Sequence, residues 1–276
     1  MKTIREYLNE GLIKRQSGVD MRTKIEGWLK EHNIDGYTIK DDLIIDVKGN
    51  VELRNYGEER LPEYIQFGKV TGSFRINICP KLVSLKGCPE RVGKSFNCSY
   101  CRKLESLEGA PQIVERDFLG DGCEKLESLE GAPRHVGGDF YCGACENLKS
   151  LKGAPKYVGG CFICKECENL ESLEGCPQKI EGYFTCSNCP KLESLKGAPQ
   201  IVEKDFYCYE CENLESLKGA PKYVGADFYC SGCGSLKSLE GIPKEVGGSF
   251  YCYNCGGQFT QEYVKNICKV KGYINV

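Results

Sequence analysis

Twenty of the 276 residues are cysteine, and most of them recur in the spacing C-x-x-C. Three chemistries are open to such pairs. Cys142, Cys145, Cys164 and Cys167 read C-x2-C-x18-C-x2-C, which falls within the range of zinc ribbons, where four thiolates hold one ion. Disulfides are the second chemistry. Burial of reduced thiols as small apolar side chains is the third. The choice among them depends on the elements that carry the cysteines.

Those elements are repeats. Phe74, Phe96, Phe118, Phe140, Phe162, Phe184, Phe206, Phe228 and Phe250 follow one another at a constant spacing of 22 residues. Two residues after Phe stands Cys98, Cys142, Cys164, Cys186, Cys208, Cys230 or Cys252, with Ile76 and Gly120 in the other two copies. Five residues after Phe every copy has cysteine, from Cys79 to Cys255. Paired leucines (Leu104 and Leu107), Gly109, Pro111 and Val114 complete the unit F-x-C-x-x-C-x-x-L-x-S-L-x-G-x-P-x-x-V. F-x-C places two apolar side chains on one face of a short strand, because strand side chains alternate. G-x-P is a turn signal. One such unit cannot bury its own apolar edge, whereas stacked units can. A fixed period without insertions therefore implies a solenoid of parallel strands, with coils about 4.8 Å apart. In that setting the first cysteine position accepts Ile76 or Gly120, so it asks for an apolar or small side chain. The second suits a ladder residue bonded to turn backbone, which a thiol can serve weakly. Buried, reduced, metal-free cysteines are the preferred expectation, and zinc at Cys142, Cys145, Cys164 and Cys167 is the alternative. Cys88, Cys161, Cys176 and Cys268 lie outside the pattern and carry no functional reading.

The unit resembles the leucine-rich repeat. Val92, Phe96 and Cys98 stand for its first three leucines, Cys101 for its Asn/Cys, and Leu104 and Leu107 for its last two leucines. The Val-to-Phe gap is one residue longer, and G-x-P replaces L-P. The unit is also similar to repeat proteins of phages and gut bacteria, in which Asn stands where this chain has its second Cys. The resemblance runs from Phe74 to about Gly256 and implies a mainly β, leucine-rich-repeat-like solenoid. The opening residues MKTIREYLNEG resemble the capsid-targeting leaders of tailed phages, which implies cleavage after Glu10. An amphipathic helix through Ile4, Leu8 and Leu12 is the other reading of that stretch.

Residues 1–50 read as a small helical and β N-terminal cap. Asp20 can cap a helix whose apolar stripe is Met21, Ile25, Trp28 and Leu29. Strands follow, with turns at Asp41-Asp42 and Gly49-Asn50. Residues 51–256 form the solenoid, one irregular coil and then nine regular ones from Phe74. Residues 257–276 form a C-terminal cap, with a short helix from Thr260 through Ile267 and a closing strand at 273–276. The net charge of −2 lacks the basic excess of a general nucleic-acid binder. No segment has the ~20 apolar residues of a membrane span, and no secretory signal opens the chain. A cytoplasmic location, where thiols stay reduced, is expected. His32 and His135 are the only histidines, and no nucleophile elbow, zincin or phosphate-loop motif occurs. No enzyme activity and no cofactor are expected.

The outward positions of the strands are biased toward tyrosine and aspartate. Asp139, Tyr141, Tyr183, Asp205, Tyr207, Tyr209, Asp227, Tyr229, Tyr251 and Tyr253 are the candidate binding residues, on the face that is concave in leucine-rich repeats. Ile163, Lys165 and Thr185 occupy equivalent outward positions. Tyrosine offers large contact area at low entropy cost, although it also favours strands for packing reasons alone. An acidic, aromatic face suits a basic protein partner and repels nucleic acid. The opposite wall alternates Glu and Lys, as at Glu105, Glu108, Lys149 and Lys152, and reads as solvated. The function expected from the sequence is a non-enzymatic protein–protein interaction module; the resemblance to phage proteins implies a phage factor acting on its host. A zinc-binding repeat with a structural or nucleic-acid role, and an internal virion protein delivered to the host, are the alternatives.

Overall fold

The structure, a computed structural model, describes residues 20–276. The expected first helix and the cleavage position after Glu10 lie outside the described residues.

Each 22-residue unit folds as one coil carrying two short strands. The expected strand begins at Phe, as in Phe118–Leu119 and Phe140–Tyr141. A second strand ends at the Val of the G-x-P-x-x-V segment, as in Ile113–Val114 and His135–Val136. Its physical basis is simple: Pro excludes helix, and the β-branched residue that follows packs on a pleated surface. Phe strands stack in parallel and in register, Phe96 beside Phe118 and Phe140 beside Phe162. They form one eleven-stranded sheet from Val51–Glu52 to Ile274–Asn275. The Val strands divide into sheets of seven and five, parted between Tyr157–Val158 and Lys179–Ile180. The molecule is thus a parallel β-solenoid with a sheet on each of two walls and the paired leucines on a third.

The core is a set of ladders. All nine repeat phenylalanines are 0% exposed, and successive rings lie 4.9–5.8 Å apart between centroids, mostly stacked. Leu104 and Leu107, with their equivalents, are buried against them. The turn after the leucines needs glycine: Gly109 has φ +95°, and a Cβ there would sit 2.7 Å from the Leu85 carbonyl. Outside the leucine wall, cross-coil pairs such as Lys149–Glu127 and Lys152–Glu130 are largely exposed, so each adds little stability.

Both caps close the open ends of the ladder. Helix α1 (Met21–Glu31) buries Ile25, Trp28 and Leu29. Asp20 precedes it but makes no side-chain capping bond, contrary to expectation. The strand Tyr37–Ile39 then pairs antiparallel with Ile45–Val47 and ends the Val-side sheet. Ile45–Val47 and Val51–Glu52 already pair with the solenoid strands Phe67–Val70 and Phe74–Arg75. The turn at Gly49-Asn50 therefore lies inside the first coil. At the far end, Thr260 accepts the Tyr263 N–H and caps helix α2 (Gln261–Ile267). The strand Ile274–Asn275 pairs with Phe250–Tyr251.

Candidate functional site

From Cys101 onward the second cysteine of the coil forms a ladder along the inside of the turn. Its Sγ donates to the carbonyl oxygen of the residue 25 positions earlier: Cys101 to Ile76 at 3.2 Å, Cys145 to Gly120 at 3.4 Å, Cys167 to Cys142 at 3.4 Å and Cys211 to Cys186 at 3.2 Å. The residue before each of these cysteines has positive φ, as at Tyr100, Ala144, Glu166 and Glu210. Burial pushes the thiols of Cys142, Cys145 and Cys164 well above their ordinary range. Contact with Cys189, and then burial, does the same to Cys167. Cys145, Cys164 and Cys167 each donate to a backbone carbonyl, a bond that a zinc-bound thiolate would give up. Among the described residues no three His, Cys, Asp or Glu side chains are grouped to hold a metal ion.

The aspartates ahead of Phe have a structural role that the repeat pattern alone does not reveal. Asp139 Oδ1 accepts the Cys161 N–H at 2.7 Å, and its Oδ2 accepts the Tyr141 hydroxyl at 3.2 Å. Asp205 holds the Asp227 N–H and the Tyr207 hydroxyl, and Asp227 holds the Ser249 N–H and the Tyr229 hydroxyl. These carboxylates bind the next coil and anchor the tyrosines; they are not the free acidic rim anticipated for a basic partner. Burial, and then the carboxylate beside each, pushes the phenols of Tyr141 and Tyr207 up to about 12. Tyr207 and Tyr229, anchored in this way, stack with each other and with Tyr251 at 4.9 and 4.5 Å between centroids. Tyr183 and Tyr209 meet Tyr207 edge-on at 5.9 and 6.3 Å. Tyr207 is the centre of that cluster, while the exposed Tyr253 stands at the C-terminal end of the row.

The tyrosine row is interrupted. Between Tyr141 and Tyr207 the equivalent positions are Ile163 and Thr185, which the structure places at 3% and 6% exposure, low between taller neighbours. Strand alternation predicts outward, exposed side chains at both; these two short residues are instead a floor. The result is a slot of ≈ 660 Å³ lined by Tyr100, Asp121, Tyr141, Gly143, Ala144, Ile163, Lys165, Glu166, Tyr183, Thr185, Tyr207 and Tyr209. Its volume is that of an ordinary ligand pocket. The aspartate ladder lapses at the same coils, where Cys161 and Tyr183 replace Asp. The Val-side sheet is parted there as well. The histidines are elsewhere: His32 stacks on Trp28 in the N-terminal cap, and His135 stacks on Tyr157 within the Val strands.

Comparison with protein-family models, curated proteins and solved structures found no match for this chain. The site therefore rests on its own geometry. Of the candidate residues predicted from the strand pattern, the slot gathers Tyr141, Tyr183, Tyr207 and Tyr209 without their aspartates; Tyr229, Tyr251 and Tyr253 continue the row beyond it. Tyr100, Asp121, Gly143, Ala144 and Glu166 were not anticipated. The signal for them was departure from the repeat: Asp121 next to the anomalous Gly120, then Gly143, where every other coil carries a larger residue.

Proposed function

We propose that this chain is a non-enzymatic protein-binding module that engages its partner through the outward face of the Phe strands, centred on Tyr207 and the slot beside it. The observation that carries this reading is the tyrosine cluster on an in-register scaffold. Tyr207 touches Tyr183, Tyr209 and Tyr229 and is tied by its hydroxyl to Asp205. Aromatic anchors already held in place lose little entropy on binding. The ladder thiols favour a reducing compartment such as the cytoplasm, since a disulfide would remove the hydrogen each one donates. Among the described residues no helix is long and apolar enough to cross a membrane. The test is quantitative capture from the natural host with two double variants. Tyr207→Ala with Tyr229→Ala should weaken the complex by at least about 2 kcal/mol, the scale of a hot spot. Glu105→Ala with Glu108→Ala, on the leucine wall, should leave it intact. The reverse pattern would place the partner on the other wall.

The similarity of the opening residues to capsid-targeting leaders extends this proposal to a phage factor acting in its host. Glu10→Ala should then block processing during infection. Intact Met1 on chains recovered from mature particles would remove that extension.

A further inference from the structure

The slot has a charge feature that its aromatic walls do not explain. Asp121 is drawn below the surface, and burial raises its carboxyl above the usual carboxylate range. Its Oδ1 accepts the Gly143 N–H at 2.8 Å. Among the described residues it makes no other side-chain hydrogen bond and no ion pair. Lys165 is near enough to favour the charged carboxylate, but it makes its ion pair with Glu166, at 2.9 Å, and not with Asp121. The position that would otherwise cover Asp121 from the next coil is Gly143, where a Cβ would lie 3.3 Å from Oδ1. Tyr100 lies over Gly122 on one side, 2.7 Å from where a Cβ there would stand, and Tyr141 lines the slot from the other. A carboxylate is thus left with one hydrogen bond inside a slot walled by five tyrosines.

We propose that the slot receives an arginine side chain of the protein partner, its guanidinium stacked against the tyrosine faces and paired with Asp121. Of the protein cations, guanidinium fits this site best. It is planar, it is more weakly hydrated than an ammonium, it stacks on aromatic rings, and it presents two parallel donors to a carboxylate. The width is suitable: Tyr100 and Tyr141 belong to the coils on either side of Asp121, two strand spacings or about 10 Å apart at ~4.8 Å each, and Gly122 and Gly143 leave the space between them open. Lysine would gain the cation–π attraction but not the fork of donors. The inference rests on the protein-binding reading but is tested without the natural partner.

The probe is the peptide acetyl-Ala-Arg-Ala-amide, followed through the methyl resonances of Ile163 and Thr185. A saturable shift is expected. The citrulline analogue keeps the shape and loses the charge, and it should bind about tenfold more weakly, the scale of one charge-assisted contact. Asp121→Asn should weaken the arginine peptide by a similar factor; Asn retains an oxygen for Gly143, so the fold is kept. Gly143→Leu, which fills the opening, should abolish the shift, and Glu105→Ala on the opposite wall should not. Equal binding of arginine and citrulline peptides, indifference to Asp121→Asn, or the absence of a saturable shift would overturn the proposal. Those results would leave protein binding itself to be decided separately, by the capture experiment with Tyr207 and Tyr229.

Discussion

Phe162→Ala tests both the ladder core and the seam within it. Phe162 is fully buried, with ring centroids 5.1 Å from Phe140 and 5.6 Å from Phe184. Burial of such a ring is worth about 2–3 kcal/mol, and each ring pair adds ~0.5–1.5 kcal/mol. With the cavity left behind, the loss falls in the range of roughly 3–5 kcal/mol found for aromatic truncations in cores. Phe118→Ala should lose a similar amount, since its neighbours lie at 5.6 and 4.9 Å. The two variants should nevertheless unfold differently. Beyond Phe162 the Val-side sheet is parted. The coil is joined to the next by the Phe-strand bonds, such as Phe162 N–H to Tyr183 O at 2.9 Å, by the turn bond from Gly182 to Gly160, and by the rings. In a solenoid each coil is stabilised mainly by its neighbours, so a loss at the seam should uncouple the two halves. Urea unfolding followed by hydrogen exchange should show two transitions for Phe162→Ala and one for Phe118→Ala. A loss below about 1.5 kcal/mol in both, far under the expected core value, would refute the buried ladder. Identical single transitions would refute the seam.

Four further outcomes follow from titratable groups and thiols. The phenols of Tyr141 and Tyr207, pushed up to about 12, should ionise after the free tyrosines in an absorbance titration. Because their native pKa is raised, they contribute stability below about pH 10 that is lost as pH rises toward 12; Asp205→Asn should make Tyr207 titrate earlier. Asp121, also raised, makes the native state bind its proton more tightly. Stability should therefore fall as pH climbs from about 4 through its native pKa, and Asp121→Asn should remove that slope. Half-buried Cys161 and Cys255 should react first with a thiol reagent, Cys161 slowly because burial pushes it up to about 11, and the remaining thiols only on unfolding. Dialysis against a chelator should leave the melting temperature unchanged.

The parts of this fold that are legible in the sequence are those set by period. Spacing alone places the Phe ladder, the positive-φ glycine of G-x-P and the cysteine-to-carbonyl ladder, because stacking imposes one environment on every copy of a position; the Thr260 cap is legible from local capping chemistry instead. The second strand at Val is hidden, since its segment is short and its pattern is masked by Gly and Pro. Asp139, Asp205 and Asp227 mislead for a different reason. An outward carboxylate looks free in sequence, and only the neighbouring coil, 22 residues away, reveals that its oxygens are occupied. The slot escapes sequence reading because it is made by substitutions. Ile163, Thr185, Gly143 and Ala144 look ordinary singly and become a cavity only when stacked between Tyr141 and Tyr207.

The most direct measurement of the central claim is site-specific photo-crosslinking in the cells that make the protein. A benzophenone amino acid placed at Thr185 reports on the slot, and one placed at Lys149 reports on the leucine wall. Binding through the tyrosine face predicts a discrete adduct from position 185 that disappears when Tyr207→Ala is added, and none from position 149. A discrete adduct from position 149 with none from position 185 would contradict it.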